Sequence, residues 1–430
     1  MTLDQNRNLL LLVILGTCLL LFVWALRLTR GRVFPASLRA LLRGQTHYLG
    51  VGVLVGLSFS GEIESADLLR HAQVSLVGLL ITWMGLELGI RAEFRQLRNS
   101  PPKLLIFDAT QSAVTFTLTL VITLLFLPRF SRQLVAEADP LALTSVLSVA
   151  ASITGGWSRR RPDAAFASPQ EPADMASPQI LGNVVSIVLL GCISTLFVPH
   201  PPIPFAGRAF AGPFDALLLS ALLGAGTGAL IDMVFRVEGA LPAAAYVTVG
   251  LVIAAGGVCV ALGLPALFVG FVAGAWLINA TLRRRDLKTL SERVCPVAEG
   301  LFMIVAGSAI GVRSADSPLN LRGMVYLALL LFLSRAIAKT LGVGLLWRLL
   351  RPSRGDRSYV GMWQLSQGSL AIAVCIQPLF LPAEGPVQVV TILGGTALAV
   401  ALSQMAASTF PIAQPTGEKE EREKEKGEFA

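Results

Sequence analysis

Thirteen apolar stretches, divided by short loops whose Lys and Arg crowd into every second connection, confine this chain to a bundle of helices that crosses a bilayer. About 20 apolar residues are needed to cross the hydrocarbon core. The stretches lie near residues 9–26, 46–60, 73–90, 103–127, 141–155, 179–197, 214–233, 241–258, 264–280, 296–312, 323–347, 359–378 and 387–406. The eighth and ninth are parted only by the breakers Gly263 and Pro265. Composition agrees, with 54% hydrophobic and 14% charged residues where a soluble chain carries roughly a quarter charged.

The formal net charge of +8 would suit a nucleic-acid partner if the basic residues shared one soluble face. They sit instead in loops between apolar stretches, so no nucleic acid is expected. Alternate loops carry Arg27, Arg30, Arg32, Arg39 and Arg43; Arg91, Arg95, Arg98 and Lys103; Arg159, Arg160 and Arg161; Arg236; Arg283 to Arg285 with Lys288 and Arg293; and Arg348, Arg351, Arg354 and Arg357. The N-terminus and the opposite loops hold only Arg7, Arg70, Arg129, Arg132, Arg208, Arg313 and Arg322. Positive charge stays inside, which predicts an outside N-terminus and a cytoplasmic C-terminus.

The first stretch is followed by Arg27, Arg30 and Arg32 and lacks a small-residue cleavage site, so it is expected to remain as a helix rather than act as a signal peptide. The chain then divides into residues 1–45, a helix and a basic cytoplasmic loop; 46–410, the main transmembrane domain; and 411–430, a Glu/Lys-rich tail expected to be disordered. Cys18, Cys192, Cys259 and Cys375 lie within apolar stretches and Cys295 at the edge of one. The spacing is not of a metal-binding kind and the total is odd, so neither disulfides nor a metal or other cofactor is expected. No nucleotide loop or nucleophile constellation appears, and an enzyme is not expected.

The fifth stretch (LALTSVLSVAASITGG) and the twelfth (YVGMWQLSQGSLAIAVCIQ) are interrupted by polar residues and glycine. Paired interruptions in two halves mark a transport site at the interface of inverted repeats, and an odd separation of seven makes the two run in opposite directions. Alternatively, the Ser, Thr and Gly serve close helix packing.

Five short blocks, at residues 85–91, 262–274, 301–307, 339–342 and 365–368, together resemble the cation:proton antiporters with the sodium/hydrogen exchanger fold, over roughly residues 46–405. Gly85-Leu86-Glu87-Leu88 before Arg91 is similar to the Gly-Leu-Glu-Leu ending of a helix in that superfamily. Leu262-Gly263-Leu264-Pro265-Ala266-Leu267 through Phe271-Val272-Ala273-Gly274 resembles a second signature. Leu301-Phe302 to Gly307, Lys339 to Gly342, and Leu365-Ser366-Gln367-Gly368 resemble three more, in the same order. The resemblance implies an all-α membrane fold of about 13 helices with inverted repeats, a dimerising bundle and a core bundle.

It also implies one or two acids in the helix after the first broken one, where a carboxylate holds either a proton or a metal cation. Such competition needs an oxygen ligand that can be ionised or neutral. At the matching place this chain has Gly182 and Asn183. Asn183 can offer its carbonyl oxygen or form an interhelical hydrogen bond, but it cannot exchange a proton. Thr154 matches a threonine of the broken helix, yet Gly155-Gly156-Trp157-Ser158 and the Arg159–Arg161 triplet after it read as a loop rather than a second half-helix. The remaining intramembrane charges are Arg335 and Lys339, four residues apart and so on one face, with Glu87 and Asp108 as candidate acids. Each has a structural alternative: Glu87 neutralising Arg91, Asp108 as a helix-start carboxylate, and Arg335 and Lys339 in a structural ion pair or snorkelling.

The expected function is antiport of Na+ or K+ against H+ by alternating access in a prokaryotic plasma membrane, by a homodimer, with Thr154, Asn183, Lys339, Arg335, Asp108 and Glu87 as candidate site residues. Two rivals stay open: an anion or solute carrier using Arg335 and Lys339, and a non-transporting sensor or subunit that keeps the fold.

Overall fold

The computed structural model describes residues 45–59, 63–100, 102–130, 139–154, 178–197, 203–205, 208–210, 212–237, 241–314, 321–343, 364–379 and 386–409. The expected first helix and its basic loop, the segment 155–162 with its Arg triplet, the loop bearing Arg348 to Arg357, and the charged tail lie outside the described residues. So do the chain ends whose sides of the membrane the loop charges predict.

Each apolar stretch that falls within the described residues forms a helix. These are α1 (Thr46–Phe59), α2 (Ile63–Arg91), a short α3 (Phe94–Asn99), α4 (Pro102–Phe130), α5 (Pro140–Ser152), α6 (Pro178–Phe197), α7 (Pro213–Val237), α8 (Leu241–Leu262), α9 (Ala266–Ala280), α10 (Arg284–Ser314), α11 (Leu321–Ile337), α12 (Ser369–Leu379) and α13 (Pro386–Thr409). A two-stranded antiparallel hairpin, β1 (Ile203–Phe205) with β2 (Arg208–Phe210), joins α6 to α7. Among the described residues, eight helices are long and apolar enough to cross a membrane, and α1, α5 and α9 are shorter apolar helices. The chain is an integral membrane protein, and the division of its eighth and ninth stretches falls as the breakers dictate: Gly263 takes a φ of 67° that an L side chain rarely adopts.

Glycine pairs bring the helices of the scaffold together. Gly85 and Gly89 of α2 face Gly270 and Gly274 of α9, so closely that a Cβ on Gly274 would strike the carbonyl of Leu86. Gly52 and Gly56 of α1 face Gly307 and Gly311 of α10 in the same way. All four are small-x-x-x-small pairs, which let backbones approach where lipid supplies no hydrophobic drive for helix association. Three of the sequence blocks that carried the resemblance therefore include packing surfaces.

The polar connection after α2 is tied to the one after α9. Asn279 donates to the carbonyl of Ala92 (3.2 Å) and accepts from the Phe94 amide (2.9 Å), while Glu93 pairs with Lys288 (2.8 Å) and Arg284 (3.4 Å). Two of the Arg-rich loops thus share one face of the molecule.

In α4 the usual amphipathic order is reversed. Asp108, Gln111, Ser112, Thr115, Thr119 and Thr123 recur at helical spacing and are buried, whereas Ile106, Val121, Leu125 and Phe126 are exposed. Apolar side chains face lipid, and the polar stripe faces the protein core, where α4 packs on α5, α6 and α11.

Candidate functional site

Helix α5 starts conventionally, with Asp139 capping it by accepting from the Leu141 amide (2.9 Å) and Pro140 in its first turn. It stops after 13 residues, about 20 Å, short of a bilayer core of about 30 Å. The chain turns extended at Ile153. On the other side, Gln364 to Gly368 is non-helical and α12 begins only at Ser369. These are the two interruptions legible in the sequence.

An interrupted helix inside a membrane leaves carbonyls that need donors. At the end of α5, Val149 O accepts from Ile153 N and from Ser152 Oγ (2.7 Å), Ala150 O accepts from Gln367 Nε2 (3.0 Å), and Ala151 O accepts from Arg335 Nη1. The same guanidinium donates to Gln364 O (2.6 Å), Leu365 O (3.1 Å) and Ser366 O (3.2 Å). Arg335, fully buried, is a cationic pin joining both unwound stretches, and its charge complements the negative end of α5. Its insertion cost of roughly 2.5–3.5 kcal/mol is offset by four carbonyl bonds.

Asn183 closes the break from the α6 side. Its Oδ1 accepts from the Thr154 amide (3.0 Å) and hydroxyl (3.3 Å), and its Nδ2 donates to Thr154 O (3.1 Å). Both amide atoms are engaged with one residue, so Asn183 clamps the chain where α5 ends. Next to it, Ser186 Oγ shares hydrogen bonds with Ser112 Oγ (2.9 Å) and Ser152 Oγ (2.8 Å), which joins α4, α5 and α6 through hydroxyl oxygens.

Asp108 does not begin its own helix; it lies in the second turn of α4 and reaches across to α6. Oδ2 accepts from the Gly182 amide at 2.5 Å. Oδ1 accepts from Gln111 Nε2 at 2.8 Å. A Cβ built on Gly182 would lie 2.8 Å from Asp108 Oδ1 and 3.3 Å from its Cγ. The carboxylate of α4 therefore occupies the space that a side chain at Gly182 would enter, at the positive end of α6.

Lys339 completes this group. It sits in a π-helical turn, Ala338–Val343, that continues α11, and a widened turn of this kind recurs at functional sites. Fully buried, it donates from Nζ to Gln111 Oε1 (3.1 Å). Gln111 thus bridges Lys339 and Asp108, which the sequence places 228 and 3 residues from it. The turn closes on α4 because Gly342 leaves room for Val114, whose Cγ1 would be 2.8 Å from a Cβ there.

Of the six residues singled out in the sequence, the structure gathers Asp108 and Lys339 around Gln111, and Thr154 and Asn183 around the end of α5, with Arg335 beneath both breaks. Glu87 stands apart, its Oε1 2.6 Å from Arg91 Nη2, so of the two candidate acids only Asp108 joins the lysine. Gln111, Gln367 and the serine trio were not anticipated. Their signal was available in part, since Gln111 and Ser112 belong to the helically spaced polar stripe of α4.

No protein-family model matches the sequence, and no curated protein matches it. A solved structure does: the sodium/proton antiporter MjNhaP1 from Methanocaldococcus jannaschii, with a TM-score of 0.55 at 14% identity, covering 94% of this chain and 97% of that one. The fold is the sodium/proton antiporter fold. At this identity the likeness is one of fold alone, and the neighbour's ion and residues stay its own.

Proposed function

We propose that this chain is a secondary transporter that exchanges a monovalent cation, Na+ or K+, for H+, and that Asp108 is the group that carries either one. The observation behind this reading is the carboxylate of Asp108 lying over Gly182, in the place where an acid of α6 would reach. Asp108 can hold a proton or balance a cation, while Ser112, Ser152, Ser186 and Thr154 supply neutral oxygens nearby of the kind that monovalent cations accept. Lys339, through Gln111, sets the charge beside it. The break in α5 and the start of α12 give the two bundles a place to move against each other, as alternating access requires.

An anion carrier finds less support. Arg335 spends its donors on four backbone carbonyls, and Lys339 donates to Gln111, which also bonds the Asp108 carboxylate, so the lysine lies close to an acid that disfavours an anion there. We further propose a homodimer in a prokaryotic plasma membrane, N-terminus outside; the shared face of the loops around Glu93 and Arg284 suits that orientation.

The test is collapse of a preset pH gradient in liposomes holding the purified protein. The native chain should dissipate the gradient on addition of Na+, K+ or Li+, and Asp108→Asn, equally folded, should not. Exchange at native rates by Asp108→Asn would reject Asp108 as the carrier; no exchange of any ion by the native chain would favour a non-transporting sensor.

A further inference from the structure

We propose that Glu87, Cys295 and Glu299 form a second site, separate from the core, that binds one thiophilic divalent cation of the Zn2+ class. Each of the three offers a ligand atom, and these atoms lie within 4.8 Å of one another. Cys295 and Glu299 are four apart on α10, the spacing that directs two side chains of a helix onto one ion. Glu87 projects from α2, which packs against α10. Glu87 is remote from the other two in sequence, and a lone Cys–Glu pair four apart is not metal-type spacing by itself.

Two further observations point to a ligand rather than to an incidental acidic pair. Glu87 is only 3% exposed, and its Oε2 is buried without a hydrogen-bond partner among the described residues, while Oε1 alone is held by Arg91. A buried carboxylate oxygen left bare is costly and is characteristically completed by an ion or a proton. On binding the charges would balance: two carboxylates and the thiolate left when the metal displaces the Cys295 proton, against Arg91, give two negative charges, which one divalent ion neutralises in a place where uncompensated charge is expensive. A thiolate with two carboxylates favours Zn2+ over Mg2+ or Ca2+, and three protein ligands leave a fourth position open.

Binding would displace the Cys295 proton to solvent, and it would tie α2 to α10 beside the core. Helix α10 also packs against α12, so occupancy bears on the half-helix that starts at Ser369. The inference does not depend on which ion the core carries.

Titration of the purified, chelator-treated full chain with Co2+ tests it, since cobalt reports a thiolate ligand by a charge-transfer absorption that Zn2+ then abolishes. The native chain and a Cys192→Ser control should show the band at one ion per chain. Cys295→Ser should lose it, and Glu299→Gln should bind at least about tenfold more weakly, since even outer-shell changes at metal sites cost roughly 10–100-fold. Absence of the band from the native chain, its persistence in Cys295→Ser, or unchanged affinity in Glu299→Gln would each overturn the assignment. The native titration and the isosteric Glu299→Gln keep the test decisive if the cysteine variant fails to fold.

Discussion

Replacing Gly182 by Ala sets two well-understood effects against each other. By helix propensity alone, alanine within α6 should stabilise by about 1 kcal/mol. The built Cβ, however, falls 2.8 Å from Asp108 Oδ1, 3.2 Å from its backbone oxygen and 3.3 Å from its Cγ, so the carboxylate must withdraw. Withdrawal gives up the 2.5 Å bond from the Gly182 amide, and a hydrogen bond to a charged group is worth about 1.5–3 kcal/mol. The net is a loss of roughly 0.5–2 kcal/mol, more if the Gln111 bond goes too. Thermal unfolding in detergent should therefore show a Tm a few degrees below native. In liposomes, half-saturation by the transported cation should rise about tenfold for each 1.4 kcal/mol lost at the site. The decisive quantity is the sign: a Tm equal to or above native, with unaltered exchange, would mean that the carboxylate is not held over Gly182.

Other changes probe the parts around it. Arg335→Lys keeps the charge but offers three donors to four carbonyls, leaving at least one unpartnered, so stability measured by thermal unfolding should drop by about 1–3 kcal/mol. Asn183→Asp puts a carboxylate oxygen where Nδ2 now donates to Thr154 O; thermal unfolding should show a loss of about 1–3 kcal/mol, and the pH-gradient assay no gain of exchange. Gly274→Ala drives a Cβ into the Leu86 carbonyl and should cost about 1–3 kcal/mol, whereas Gly250→Ala, with nothing within 4 Å, should be neutral or slightly stabilising by the same measurement.

What the sequence made legible was whatever depends on local pattern. Apolar length marked the helices, Gly263 with Pro265 marked a boundary that hydropathy alone would have blurred, and polar residues in two stretches marked the ends of α5 and α12. The intramembrane Arg335 and Lys339 stood out because charge in hydrocarbon is expensive and demands a partner. Their partners were not legible, because a guanidinium satisfied by Ala151, Gln364, Leu365 and Ser366 is satisfied by carbonyls that every residue has. Pattern names the group in need of bonds; only the fold says who supplies them.

On the proposed function, the same limit accounts for the lack of an acid in α6. A search for an acid at a position in α6 asks which side chain the chain carries there, but a charge is set by a location in space, and several helices border that location. Gly182 leaves it vacant from one side, and Asp108, 74 residues earlier, fills it from the other while gaining the Gly182 amide in the first turns of α6. One oxygen of this carboxylate is held by a donor of α6 and the other by Gln111 of its own helix. On the proposed function, displacement of α6 relative to α4 would strip the Gly182 donor from Asp108 and leave Gln111, so the carboxylate's environment changes with the conformation of the core, and a site that must take and release ions alternately needs that property.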